Sequence, residues 1–172
     1  MPDYDALMHA AIASCSNDSK WTGSKFSGVK TISNSHVGRV GQDFIEELCK
    51  VLHLDHQFPM IGDRRNPRSP WDIRILGKTF ELKTATEDVK RCFQFNHIRH
   101  HRQYEGVICV GISPDAIWLG CYSKSDIATG RAGSLVTMDK GSSATFKLTK
   151  RKADLLPIEQ FEHHLRQIVL SL

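Results

Sequence analysis

Trp71–Ala85 reads WDIRILGKTFELKTA, two β-prone runs on either side of Gly77-Lys78. A glycine opening a two-residue connection takes φ > 0 without strain, the signature of a type II′ turn, so two antiparallel strands are expected here. Counting outward from that turn pairs Leu76 with Thr79, Ile75 with Phe80, Arg74 with Glu81, Ile73 with Leu82 and Asp72 with Lys83. Side chains alternate across a strand, which puts Ile73, Ile75, Phe80 and Leu82 on one face and Asp72, Arg74, Glu81 and Lys83 on the other. A slip of one residue would bury the charges and expose the isoleucines, so the apolar pattern itself defends the two faces.

The polar face reads in two ways. Cross-strand ion pairs, Arg74 with Glu81 and Asp72 with Lys83, would make it a solvated surface contributing little. Two carboxylates and an ammonium brought together are also what a divalent-metal site needs. Magnesium keeps several waters and takes one or two protein carboxylates, here Asp72 and Glu81. Lys83 is then suited to position a water or to neutralise charge developing on a phosphate. Acid-x-lysine occurs three times, at Asp18–Lys20, Glu81–Lys83 and Asp88–Lys90, and only the middle one lies on a β-patterned run behind a turn.

Pro70-Trp71-Asp72 followed by Glu81-Leu82-Lys83 resembles the PD-(D/E)xK nuclease superfamily, with Trp71 standing between the proline and the acid. The resemblance implies an α/β (α+β), restriction-endonuclease-like core, a mixed central β-sheet flanked by helices, over about residues 37–122. It also implies Mg²⁺ held by Asp72, Glu81 and the Leu82 carbonyl, with Lys83 orienting the nucleophilic water. The implied reaction is hydrolysis of double-stranded DNA to 5′-phosphate and 3′-hydroxyl ends. Small type II restriction enzymes are the members it resembles most, implying sequence specificity, a homodimer and a prokaryotic cytoplasm. A repair or recombination nuclease of the same fold, or a DNA-binding module that has lost catalysis, are the alternatives. The superfamily often places an acid after a glycine on the preceding helix. Here Gln42 follows Gly41, so either an amide assists the site in place of a third carboxylate or Gln42 is a surface residue. Gln42 and Glu47 lie at the two margins of that helix's apolar stripe.

At 172 residues, with 40% hydrophobic and 24% charged residues, the chain has the size and composition of one soluble domain. No apolar run approaches the ~20 residues of a membrane helix, and the N-terminus has no signal-peptide pattern, so a cytosolic protein with no membrane partner is expected. The five cysteines are odd in number and never spaced C-x-x-C, which reads as reduced, mostly buried thiols. A net charge of +4 suits a polyanionic partner without requiring one.

Helical spacing predicts a short helix over residues 4–14, a main helix over Val37–Leu54 with Ser35 as N-cap, and a C-terminal helix over 157–172 that closes the core or forms a dimer seam. Residues 15–36, with Lys20, Lys25 and Lys30 among aromatics, read as a DNA-contacting arm or a plain connection. Arg64, Arg65 and Arg68 lie in a turn-rich loop before the hairpin and are candidate DNA contacts. Cys92–Tyr104 reads as a donor-rich helix presenting Gln94, Asn96, His97 and Arg99 to DNA. Alternatively, His97 and His101 at i, i+4 clamp a transition metal. Gly106–Ser113 is apolar throughout, as a doubly covered central strand is, and is expected parallel to the hairpin. Ala116–Tyr122 and Ala144–Thr149 complete the strands.

Overall fold

In the computed structural model residues 19–172 are described, and the helix expected over residues 4–14 lies outside them. Two short 3-10 turns, Ser19–Trp21 and Ser27–Thr31, lead to helix α1 (Asn34–Val51). Three two-residue strands follow, β1 (His56–Gln57), β2 (Met60–Ile61) and β3 (Arg64–Arg65), then the hairpin of β4 (Ile73–Ile75) and β5 (Lys78–Thr86). The chain continues through β6 (Cys92–Ile98), β7 (Gly106–Ile112), β8 (Ile117–Ser123) and α2 (Lys124–Ala128). It ends with β9 (Leu135–Thr137), β10 (Phe146–Arg151), β11 (Leu156–Pro157) and α3 (Phe161–Ser171).

The hairpin forms two residues out of the expected register. Its ladder pairs Ile73 with Phe80, Arg74 with Thr79 and Ile75 with Lys78, so the turn residues are Leu76 and Gly77. Both have positive φ, 50° and 81°, the pattern of a type I′ turn rather than II′. Leucine resists that conformation, and Leu76 is held there by its N–H to the Asp55 carbonyl (2.9 Å) and by packing against the core. A shift of two leaves the faces as expected. Ile73, Ile75, Phe80 and Leu82 all enter one buried cluster, and sequestering Phe80 alone is worth about 1.5–3 kcal/mol.

That cluster lies between the main sheet, order β1-β4-β5-β7-β8-β11, and helices α1 and α3. The sheet is mixed: β5 and β7 are parallel and its other neighbours antiparallel. Helix α1 buries Val37, Gly41, Ile45 and Cys49, every fourth residue. Val51, expected within the stripe, is 72% exposed, and the residue flanking the helix start is Ser33 rather than Ser35. At Gly41 the helix touches β5 so closely that an added Cβ would sit 1.7 Å from Thr84 Oγ1. Phe161 and Leu165 of α3 are buried in the same cluster, so this helix closes the core.

The other face is covered by a second sheet. Cys92–Ile98 is strand β6, not the expected helix, in the order β6-β10-β9. Phe93, Phe95 and Ile98 point into a second buried cluster with Val107, Cys109 and Leu148, while Gln94, Asn96 and His97 are exposed. Between Phe95 and Ile98 the β6–β10 register shifts, and His97 there has φ 57°, the mark of a β-bulge. With every residue buried, β7 lies between the two clusters, as its apolar run implied. The connection from β5 to β7 therefore runs through a strand, and the main sheet has helices on one face and mainly the small sheet on the other.

Residues 19–32 are seated on the body. Trp21 is buried, and Phe26 N–H and Lys25 N–H bond Pro114 O and Asp115 Oδ1, both at 2.9 Å. Among the described residues, no helix is long and apolar enough to cross a membrane.

Candidate active site

Strand β5 outruns β4. From Leu82 to Thr86 no strand is hydrogen-bonded to its outer edge, and this open edge floors a cleft of about 720 Å³. Asp72, just before β4, closes the hairpin with its N–H on Phe80 O (2.9 Å). Continuing the ladder sets Asp72 opposite Glu81, where Arg74 was expected. Its Oδ2 accepts the Leu82 N–H (2.9 Å), satisfying a group that the short partner strand leaves free.

Glu81 and Lys83 project from β5 on the face away from α1, toward the second sheet. Glu81 is 1% exposed. Its Oε1 meets Lys83 Nζ at 3.0 Å and Arg99 Nε at 2.6 Å, and its Oε2 accepts the Arg99 backbone N–H at 3.0 Å. Arg99 Nη2 reaches Asp72 Oδ1 at 3.0 Å. One guanidinium thus spans both carboxylates, with the lysine beside it. Arg74, expected to pair with Glu81, is exposed and lies over the Trp71 ring (5.1 Å).

Burial pushes the Glu81 carboxyl up, but the Lys83 and Arg99 charges outweigh it and hold it below the usual carboxylate range. Burial opposes the charge on Arg99, and Asp72 and Glu81 more than restore it. Tyr104 is kept neutral, its phenol pushed up by burial and by the Glu81 charge. The β6–β7 connection that carries Arg99 is tied down by Arg102 Nη1 on Ser69 O (2.6 Å) and Lys124 Nζ on Arg102 O (2.5 Å).

Asp72, Lys83, Gln42 and the backbone around Leu82 line the cleft, and Gln94, Asn96, His97 and Arg99 line it from the second sheet. Arg99 therefore bonds both acids. Gln94, Asn96 and His97 share the cleft with Asp72 from a strand instead of a helix, whereas Glu81 itself does not line the cleft. The i, i+4 relation of His97 and His101 has no meaning here, because β6 ends at Ile98. Gln42 accepts from Arg65 Nη1 (3.3 Å). Arg65 is turned inward, bonding Asp43 (2.7 Å) and Glu46 (2.5 Å) and lying over Phe58 (4.1 Å). Arg64 and Arg68 are exposed. Glu47 is exposed and paired with Lys50 (2.7 Å), and it does not line the cleft.

Among the described residues no group of three or more His, Cys, Asp or Glu side chains could hold a metal ion. The donor set is two carboxylates that already share one cation, with the Leu82 backbone at the same edge. This suits Mg²⁺, a hard ion content with one or two carboxylates, and does not suit a softer metal. Sequence reasoning missed Arg99 as the partner of both acids, and no periodicity marks it. A separate hollow of about 420 Å³, lined by apolar residues such as Phe26, Phe44 and Val110, gathers no comparable charge.

Set against known proteins, the chain matches no family model, no curated protein and no solved structure.

Proposed function

We infer that the chain is a Mg²⁺-dependent, sequence-specific endonuclease for double-stranded DNA, similar to small type II restriction enzymes of the PD-(D/E)xK kind and acting as a cytoplasmic homodimer. The observation that carries this reading is the shared cation: Asp72 and Glu81 lie 3.0 and 2.6 Å from nitrogens of one guanidinium, with Lys83 Nζ 3.0 Å from Glu81. Magnesium, when bound between the acids, would supply charge neutralisation at a phosphodiester.

Within the chain, Asp72 and Glu81 create the negative field that attracts the ion. Lys83 orients a water and offsets charge developing on the phosphate. Arg99, released from the acids, is placed to hold a neighbouring phosphate oxygen in a bidentate grip. Gln94, Asn96 and His97 offer polar groups to base edges from the cleft wall. The products are 5′-phosphate and 3′-hydroxyl ends.

The same guanidinium favours a second reading, a DNA-binding module without catalysis, in which Arg99 neutralises the acids permanently. Incubating supercoiled plasmid with Mg²⁺ or with Ca²⁺ separates the two. Discrete fragments in magnesium alone support the endonuclease. Binding in both ions with no cutting in either supports the module, and cleavage confined to branched DNA points to a repair nuclease instead.

A further inference from the structure

The cations of this protein divide by location. Away from the cleft they are paired: Lys50 with Glu47 (2.7 Å), Lys78 with Glu105 (2.9 Å), Arg131 with Asp126 (2.7 Å) and Arg166 with Glu162 (2.8 Å). The cations without a carboxylate or aromatic partner among the described residues lie on elements that adjoin the cleft. Arg64 and Arg68 flank Pro67, which lines it on one side. On the other side are Lys90 and Arg91 in the turn before β6, Lys140 in the loop bonded to His97 through Met138 and Thr145, and Lys147 and Arg151 on β10. Cations without partners repel one another, so folding gives no reason to gather them. A polyanion can take them without first breaking an ion pair.

Register places two of them, Lys147 and Arg151, on one face. Thr149 pairs with Gln94 and Arg151 with Cys92, while Lys147 pairs with Val136 on β9. Alternation then sets Lys147, Thr149 and Arg151 outward beside Gln94, with Leu148 inward against Phe95. Gln94 and Asn96 line the cleft, so the outward face of β10 continues the cleft wall. Lys147 to Arg151 spans about 13 Å of strand, the length of about four phosphates along one DNA strand. At its end Arg91 and Arg151 join Lys20 and Lys152 around a hollow of about 530 Å³ that also holds Glu87 and Asp115, four positive charges against two negative.

We propose that the outward face of the second sheet, through Arg91, Lys147 and Arg151, is a DNA-backbone surface that carries the duplex beyond the cleft. The assignment rests on the DNA reading above and adds residues that reading does not use. Anisotropy of a fluorescent duplex of about 30 base pairs, with Ca²⁺ present and salt varied, tests it. The triple variant Arg91→Ala/Lys147→Ala/Arg151→Ala should bind at least ~10-fold more weakly near 0.1 M salt, and its log K against log salt slope should be shallower by about 2.7. The double variant Arg131→Ala/Arg166→Ala, which removes paired cations elsewhere, should bind like the wild type. A triple variant with wild-type affinity and slope overturns this surface and leaves the cleft reading standing. A wild-type protein that binds no duplex overturns both.

Discussion

Arg99 Nε donates to Glu81 Oε1 at 2.6 Å while its Nη2 holds Asp72 at 3.0 Å. A single side chain therefore stabilises two acids that would otherwise repel each other across the hairpin. On the function proposed above, a bound divalent cation would compete with it for both carboxylates.

Removing it exposes the competition. Arg99→Ala leaves a buried carboxylate poorly compensated and should lower stability by about 3 kcal/mol. Millimolar Mg²⁺ should then restore more of the melting temperature in the variant than it adds to the wild type, as ligand linkage requires. Equal magnesium shifts in both proteins, read by thermal unfolding, would separate Arg99 from the metal position.

Acid should unfold the protein through the same cluster. The Glu81 carboxyl is held below its usual range, so the folded state gains stability above the ordinary carboxylate pKa and loses it as pH falls through the depressed one. Urea midpoints should hold from neutrality to about pH 5 and drop below about pH 4. Glu46, Glu105 and Asp126, also held low by their cationic and hydrogen-bonding partners, contribute to the same acid limb. Glu81→Gln should flatten the limb only in part, and a limb of unchanged steepness would deny Glu81 its share.

The two faces of the hairpin were legible because alternation survives any even shift. Its register was not, because nothing in Leu76-Gly77-Lys78 announces that a leucine will adopt positive φ. That choice depends on Asp55, which is distant in sequence and accepts the Leu76 N–H. Strand β6 carried a readable signal in Phe93-Gln94-Phe95-Asn96, a period of two with aromatics on one side. The clustered donors and the expectation of a helical crossover outweighed it. The acids and the lysine were legible as a group. Arg99 was not, since its place depends on how the β6–β7 connection folds back over the hairpin.

Packing of α1 on β5 sets the depth of the cleft floor. Gly41→Ala drives a methyl group into Thr84 and should destabilise the protein by about 1–3 kcal/mol, with an unchanged denaturant m-value. A neutral Gly41→Ala in urea unfolding would mean that the helix can stand off the strand at no cost.

Lys83 offers the most direct test that these side chains form a hydrolytic centre. Single-turnover cleavage of one mapped duplex in Mg²⁺ should be at least ~10²-fold slower for Lys83→Ala than for the wild type, with the Ca²⁺-supported affinity for that duplex unchanged within twofold. Equal cutting rates in the two proteins, at equal binding, would contradict the assignment of Asp72, Glu81 and Lys83 as the site.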